Sequence, residues 1–116
     1  MRTLNDYFIA GFAWNNISTN NASAGELVAS DGGKLQALAV NVISGELDAA
    51  TNIDVKVSGG TTITDVFTVP VSSSNSNLVL EALVDINLEP GDSIQLLSSG
   101  ETTTTAGVRA SLIIRR

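Results

Sequence analysis

Apolar and polar residues alternate in short runs along most of the chain, and clusters of glycine, asparagine or serine separate the runs. A period of two broken by turn residues is the pattern of half-buried strands in a sandwich or barrel. Thr51 to Ser58 carries it most cleanly, with Ile53, Val55 and Val57 on one side and Asn52, Asp54 and Lys56 on the other. Lys34 to Ile43 sets Leu35, Ala37 and Ala39 against Leu38, Val40 and Val42, which predicts a central strand partly buried on both faces. Asn77 to Asp85, Ser93 to Ser98 and Gly107 to Arg116 alternate in the same way. With Phe8 to Ala13, Glu26 to Ser30 and Thr61 to Val69 the count reaches about eight strands, the number of a two-sheet jelly roll. The helix candidates are Thr3 to Phe8 and Gly45 to Ala50, each at most a turn or two.

The connections carry their own signals. Gly59-Gly60 closes a hairpin between Thr51 to Ser58 and Thr61 to Val69. A two-residue loop sets Asp54 opposite Asp65, an unfavourable like-charge pair, so a three-residue connection over Gly59 to Thr61 is preferred. That register pairs Val57 with Ile63 and Ile53 with Phe67, and it lands Asp65 on the apolar face opposite Val55, near an edge or a subunit contact. Glu89-Pro90-Gly91-Asp92 puts proline and glycine at the two central positions of a type II turn. Ser72 to Ser76 reads as a loop. The organisation is one domain: an N-terminal arm and first strand over residues 1–25, then a jelly-roll β-sandwich over residues 26–116. The fold class is all-β, an antiparallel sandwich with an extended N-terminal arm.

Composition narrows the chemistry. The 116 residues include neither histidine nor cysteine, which excludes Ser-His-Asp and Cys-His nucleophilic pairs, imidazole or thiolate zinc sites, and disulfides. The net charge of −6, with six basic residues of which two are terminal, argues against nucleic acid as a partner. A hydrophobic content of 43% is too high for a disordered chain. The longest apolar stretch, Tyr7 to Trp14, is too short to cross a bilayer as a helix, so no membrane partner is expected. With Arg2 before it and Ala22-Ser23-Ala24 after it, that stretch imitates a secretory signal, but Asp6 and the polar run Asn15 to Asn21 break the pattern.

Asp85, Asn87, Glu89 and Asp92 suggest calcium by spacing, yet Pro90 and Leu96 stand where an EF-hand loop needs glycine and glutamate, so solvated carboxylates around a turn are the better reading. Twelve acids will form chance pairs at glycosidase spacing, but nothing in the sequence supplies a sugar cleft around them. Asn16-Ile17-Ser18 and Asn21-Ala22-Ser23 fit the N-glycosylation pattern, which a segment this rich in asparagine and serine generates easily. The sequence therefore predicts no enzyme, no cofactor, no metal and no small-molecule substrate.

The segment that stands out is Tyr7 to Gly25, nineteen positions without a charge, where Tyr7, Phe8, Phe12 and Trp14 gather four of the five aromatic residues. One reading makes it the first strand, with its rings plugging the core. The other makes these four residues partner-docking anchors, because interface centres favour aromatic residues and disfavour charge. Alternation lets Phe8, Phe12 and Trp14 share a face and sends Tyr7 to the other.

From about residue 34 to 114 the chain resembles the jelly-roll decoration, or cement, proteins of tailed-bacteriophage capsids. The resemblance rests on Asn52-Ile53-Asp54-Val55-Lys56-Val57 with Gly59-Gly60, on Val66-Phe67-Thr68-Val69-Pro70, on Leu88-Glu89-Pro90-Gly91-Asp92-Ser93-Ile94, and on a Ser/Thr/Gly loop feeding Val108 to Ile114. It implies a virion structural protein on the outer capsid surface, a homotrimer that bridges adjacent major capsid proteins and docks through Tyr7, Phe8, Phe12 and Trp14. The alternative is a receptor- or glycan-binding module of a tail fibre or spike, with Ser72 to Asn77 and Ser98 to Thr105 as contact loops.

Overall fold

A computed structural model describes residues 6–18, 22–70 and 77–116. The described chain is all β, with nine strands and no helix: β1 (Asp6–Trp14), β2 (Ser23–Val28), β3 (Gly33–Ser44), β4 (Thr51–Val57), β5 (Thr62–Val69), β6 (Asn77–Glu81), β7 (Asn87–Leu88), β8 (Ser93–Ser98) and β9 (Gly107–Arg115). Every pairing is antiparallel. One sheet runs β1-β9-β3-β6, with β7 also paired to β3, and the other runs β2-β8-β4-β5. The two pack face to face as a jelly-roll-like sandwich. The short β7 is the strand that the alternation did not reveal, since two residues carry no period.

The core forms where the inner faces meet. Leu38, Val42, Ile53, Val55, Phe67, Ile94, Leu96, Val108, Leu112 and Ile114 are all enclosed there. Each such side chain contributes roughly 1.5–3 kcal/mol by leaving water. β3 is central, between β9 and β6, as its two apolar faces suggested.

Bulges decide which side chains reach that core. In β1 the register slips between Ala10 and Phe12, where Gly11 adopts φ +114°. An extra residue there reverses the alternation, so Ile9 before the bulge and Phe12 and Trp14 after it all point inward. Phe8 is thereby left on the outside, 67% exposed, against 1% for Phe12 and 2% for Trp14. The expected shared face of Phe8, Phe12 and Trp14 is corrected by this one residue. Gln36 does the same in β3, bringing Leu35 to the side of Leu38, Val40 and Val42 and leaving Ala37 and Ala39 on the other.

Over its described part, the segment expected to hold an N-terminal arm and first strand, residues 1–25, lies against the sandwich. β1 is an edge strand zipped to β9 from Asp6 to Trp14, and β2 belongs to the opposite sheet. Trp14 Nε1 donates to the Ala22 carbonyl at 2.8 Å, and Ile17 is fully buried with its amide bonded to the Ala106 carbonyl. Residues 1–5 and 19–21, including the start of the Thr3 to Phe8 helix candidate, lie outside the described residues; Tyr7 and Phe8 are extended.

The β4–β5 hairpin keeps the expected pair Ile53 and Phe67 but then slips, so that Val55 faces Ile63 and Lys56 faces Thr62. The turn is Ser58-Gly59-Gly60, one residue earlier than expected, with Ser58 at φ 49° and the Gly60 amide bonded to the Val57 carbonyl. The slip is absorbed at Asp65, whose φ is 58° and whose amide donates to Asp54 Oδ1 at 2.9 Å. Asp65 lies on an edge strand as expected, but the bulge turns it to solvent instead of onto the apolar face. The turn at Glu89 to Asp92 has Gly91 at φ 90°, as a type II turn requires.

Gly45 to Ala50 forms no helix. Its conformation is set from outside by Asp48, whose carboxylate accepts from Thr102 Oγ1 at 2.7 Å, from the Thr103 amide at 2.7 Å and from the Thr103 hydroxyl. The Thr104 hydroxyl donates to the Glu46 carbonyl. Hydrogen bonds from the two threonines hold the Asp48 carboxyl at about 2, below its ordinary 3.8.

Two outcomes test this architecture. Phe12→Ala lowers unfolding free energy in urea by roughly 3–5 kcal/mol, whereas Phe8→Ala changes it by less than about 0.5 kcal/mol. Equal losses at the two positions contradict the reversal at Gly11. Because the Asp48 pKa is depressed on folding, its contribution is complete above about pH 4 and is lost as the pH falls toward 2. Asp48→Asn therefore removes part of the acid-side decline in melting temperature, and an unchanged pH profile shows that the threonine contacts do not form.

Candidate functional site

The outer face of the β1-β9-β3-β6 sheet is where the fold leaves side chains free. The strand registers arrange it in rows that cross the strands. Ala13, Arg109, Asn41 and Asn77 form one row, Ala10, Ser111, Ala39 and Val79 the next, and Phe8, Ile113, Ala37 and Glu81 a third. The middle row is small from β1 to β3, and it lies between rows with longer side chains. A trough results, and between its first two rows lies an open groove of about 380 Å³, bordered by Ala39, Asn41, Asn77, Val79, Arg109 and Ser111.

The groove's polar groups lie in its first row and in Ser111. Asn41 and Asn77 are direct cross-strand neighbours, so two carboxamides lie side by side, each with an acceptor oxygen and two N–H donors. Both residues are exposed, and among the described residues neither side chain has a hydrogen-bond partner. Arg109 stands beside Asn41 on the adjoining strand. Its Nη1 donates to the carbonyls of Trp14 at 3.1 Å and Val108 at 3.2 Å, which fixes the guanidinium while Nε and Nη2 stay available. The other cations of this face are engaged: Arg115 pairs with Asp6 at 3.2 Å and Lys34 with Asp85 at 3.0 Å. Among the described residues Arg109 has no carboxylate partner. At the β6 end of the small row Val79, 68% exposed, offers an aliphatic surface, and in the row beyond it Phe8 carries an exposed aromatic ring.

The four aromatic residues expected to act together do not. Phe12 and Trp14 are enclosed by their own chain and present nothing to a partner. Tyr7 is half-buried, its hydroxyl donates to the Asp31 carbonyl, and Arg116 lies 5.2 Å from its ring centre while pairing with Asp31 at 3.2 Å. Burial pushes the Tyr7 phenol above its usual value. Phe8 alone of the four has a largely exposed ring.

The expected contact loops are likewise mostly unsuited. In Ser98 to Thr105 the hydroxyls of Thr102, Thr103 and Thr104 are taken up around Asp48 and the Glu46 carbonyl, Ser98 Oγ donates to the buried Ile17 carbonyl, and Ser99 Oγ bonds the Asn52 carbonyl. Ser72 to Ser76 lie outside the described residues, and Asn77, at the end of that stretch, belongs to the trough. Around the turn that hinted at calcium, Asp92 accepts from Ser58 Oγ and from the Glu89 amide, and Asp85 pairs with Lys34. Among the described residues no three carboxylates converge, and no helix is long and apolar enough to cross a membrane.

Asn41, Asn77, Ser111 and Arg109 were not evident as a group beforehand. The signal that gathers them is the polar side of three strands, β9, β3 and β6, read in register.

No protein-family model matches the sequence, and no curated protein matches it. Solved structures do share the fold. CBM35 from Cellvibrio japonicus Abf62, a carbohydrate-binding β-sandwich module, superposes with a TM-score of 0.57 at 16% identity over 84% of this chain and 68% of its own. An exo-β-1,3-galactanase from Phanerochaete chrysosporium, solved with β-1,3-galactotriose, aligns with a TM-score of 0.56 at 19% identity over 93% of this chain. The chain spans only 26% of that enzyme. The likeness is one of jelly-roll β-sandwich architecture, and neither of these two neighbours is a virion protein.

Proposed function

We propose that this domain is a non-catalytic carbohydrate-recognition module that takes its ligand on the outer face of the β1-β9-β3-β6 sheet. The observation that carries the reading is the trough in which the adjacent Asn41 and Asn77 amides and Arg109 face a floor of Ala39 and Ser111. A sugar offers hydroxyls that both donate and accept, together with patches of C–H surface. Neutral amides answer the first in either direction, and the small floor with the exposed Val79 beside it answers the second. The architecture shared with a carbohydrate-binding module supports the same assignment. On this face Asp6 and Asp85 stand in ion pairs, and among the described residues the three rows around the groove hold one carboxylate, Glu81, with no second acid opposed to it in those rows.

A second reading keeps one observation in its favour: the exposed Phe8 and Val79 on one face also suit adhesion to a capsid subunit, as a trimeric decoration protein requires. The two separate by experiment. In affinity gels containing β-1,3-galactan or β-1,4-mannan, the wild-type domain is retarded. Asn41→Ala and Asn77→Ala each weaken retention by about tenfold, the effect of losing one or two ligand hydrogen bonds, while the unfolding midpoint stays put. Absence of retardation by both polymers, combined with co-sedimentation on undecorated capsids that Phe8→Ala abolishes, overturns the glycan reading.

A further inference from the structure

The shape of the trough says more than that a sugar fits. We infer that it holds an internal stretch of a linear polysaccharide laid across the strands, and does not cap a chain end; this rests on the glycan reading above. β1 and β6 are the two edge strands of the sheet, and the small row runs between them. At the β1 side it opens over Ala10, which is exposed, and at the β6 side it passes Val79, also exposed. Within the row itself nothing larger than Val79 stands at either edge. A ligand entering at one edge therefore leaves at the other.

The polar groups follow the same line. Arg109, Asn41 and Asn77 belong to three consecutive strands and to one row, so they meet the ligand at successive intervals of about 4.8 Å, close to the advance of one hexose unit. Across all four strands the lane measures roughly 14 Å, which accommodates about three units. Each polar group then serves a different sugar, and a disaccharide leaves part of the row unused.

The test is calorimetric titration of the full domain with ladders of β-1,3-galacto- and β-1,4-manno-oligosaccharides of two to six units. Affinity for the ladder whose polymer retards the domain rises at least about tenfold from the disaccharide to the tetrasaccharide and then levels off, and blocking either chain end leaves it unchanged within about twofold. Ala10→Trp raises a wall at the β1 edge, at an exposed position. It weakens binding of the tetrasaccharide and polymer by about tenfold or more and leaves the disaccharide within about twofold. A disaccharide that binds as tightly as the polymer, or loss of binding on blocking one end, overturns the internal-stretch assignment while retention sensitive to Asn41→Ala keeps the glycan reading. If neither ladder nor either polymer binds, both fall together.

Discussion

The alternation of a β-strand is rigid until an extra residue is inserted, and this molecule depends on where those insertions fall. Gly11 and Gln36 each reset which side of a strand faces the core, and the wider slip around Asp65 turns that residue out to solvent while Ile63 and Phe67 keep the same side. Without the reset at Gly11, burying Ile9 would drive Phe12 and Trp14 into water. With it, all three are enclosed and only Phe8 is turned out. The bulges thus determine the inner packing and the outer surface together, since every residue removed from one is delivered to the other.

That dependence explains what was legible in the sequence. Eight of the nine strands are visible as alternating runs, because Ile53, Val55 and Val57, or Val108, Ala110, Leu112 and Ile114, have no other economical way to bury themselves. The two-sheet, jelly-roll class follows from their number. The turn at Pro90-Gly91 is equally readable, since the required positive φ selects glycine. Bulges are not legible in this way. Gln36 has no special conformational freedom, and Asp65 holds its left-handed geometry with help from Asp54, eleven residues away in sequence but adjacent across the hairpin.

The candidate site was hidden for the same reason. Clustering in sequence drew attention to Tyr7, Phe8, Phe12 and Trp14, but residues close in the chain are dispersed by alternation and bulging to opposite faces. Asn41, Asn77 and Arg109 are separated by dozens of positions and are joined only by the order β9-β3-β6. Threonines 102 to 104, which look like a free polar loop, spend their hydroxyls on Asp48 and Glu46. A free surface group is recognised by what fails to claim it, and that is a property of the folded chain.

The groove's chemistry has one more consequence. Its polar members are carboxamides, a hydroxyl and a guanidinium, and the chain holds no thiol or imidazole. No thiol chemistry tunes such a surface from within. Under the proposed glycan reading, control over binding comes from the other party, or from the number of copies brought to bear at once.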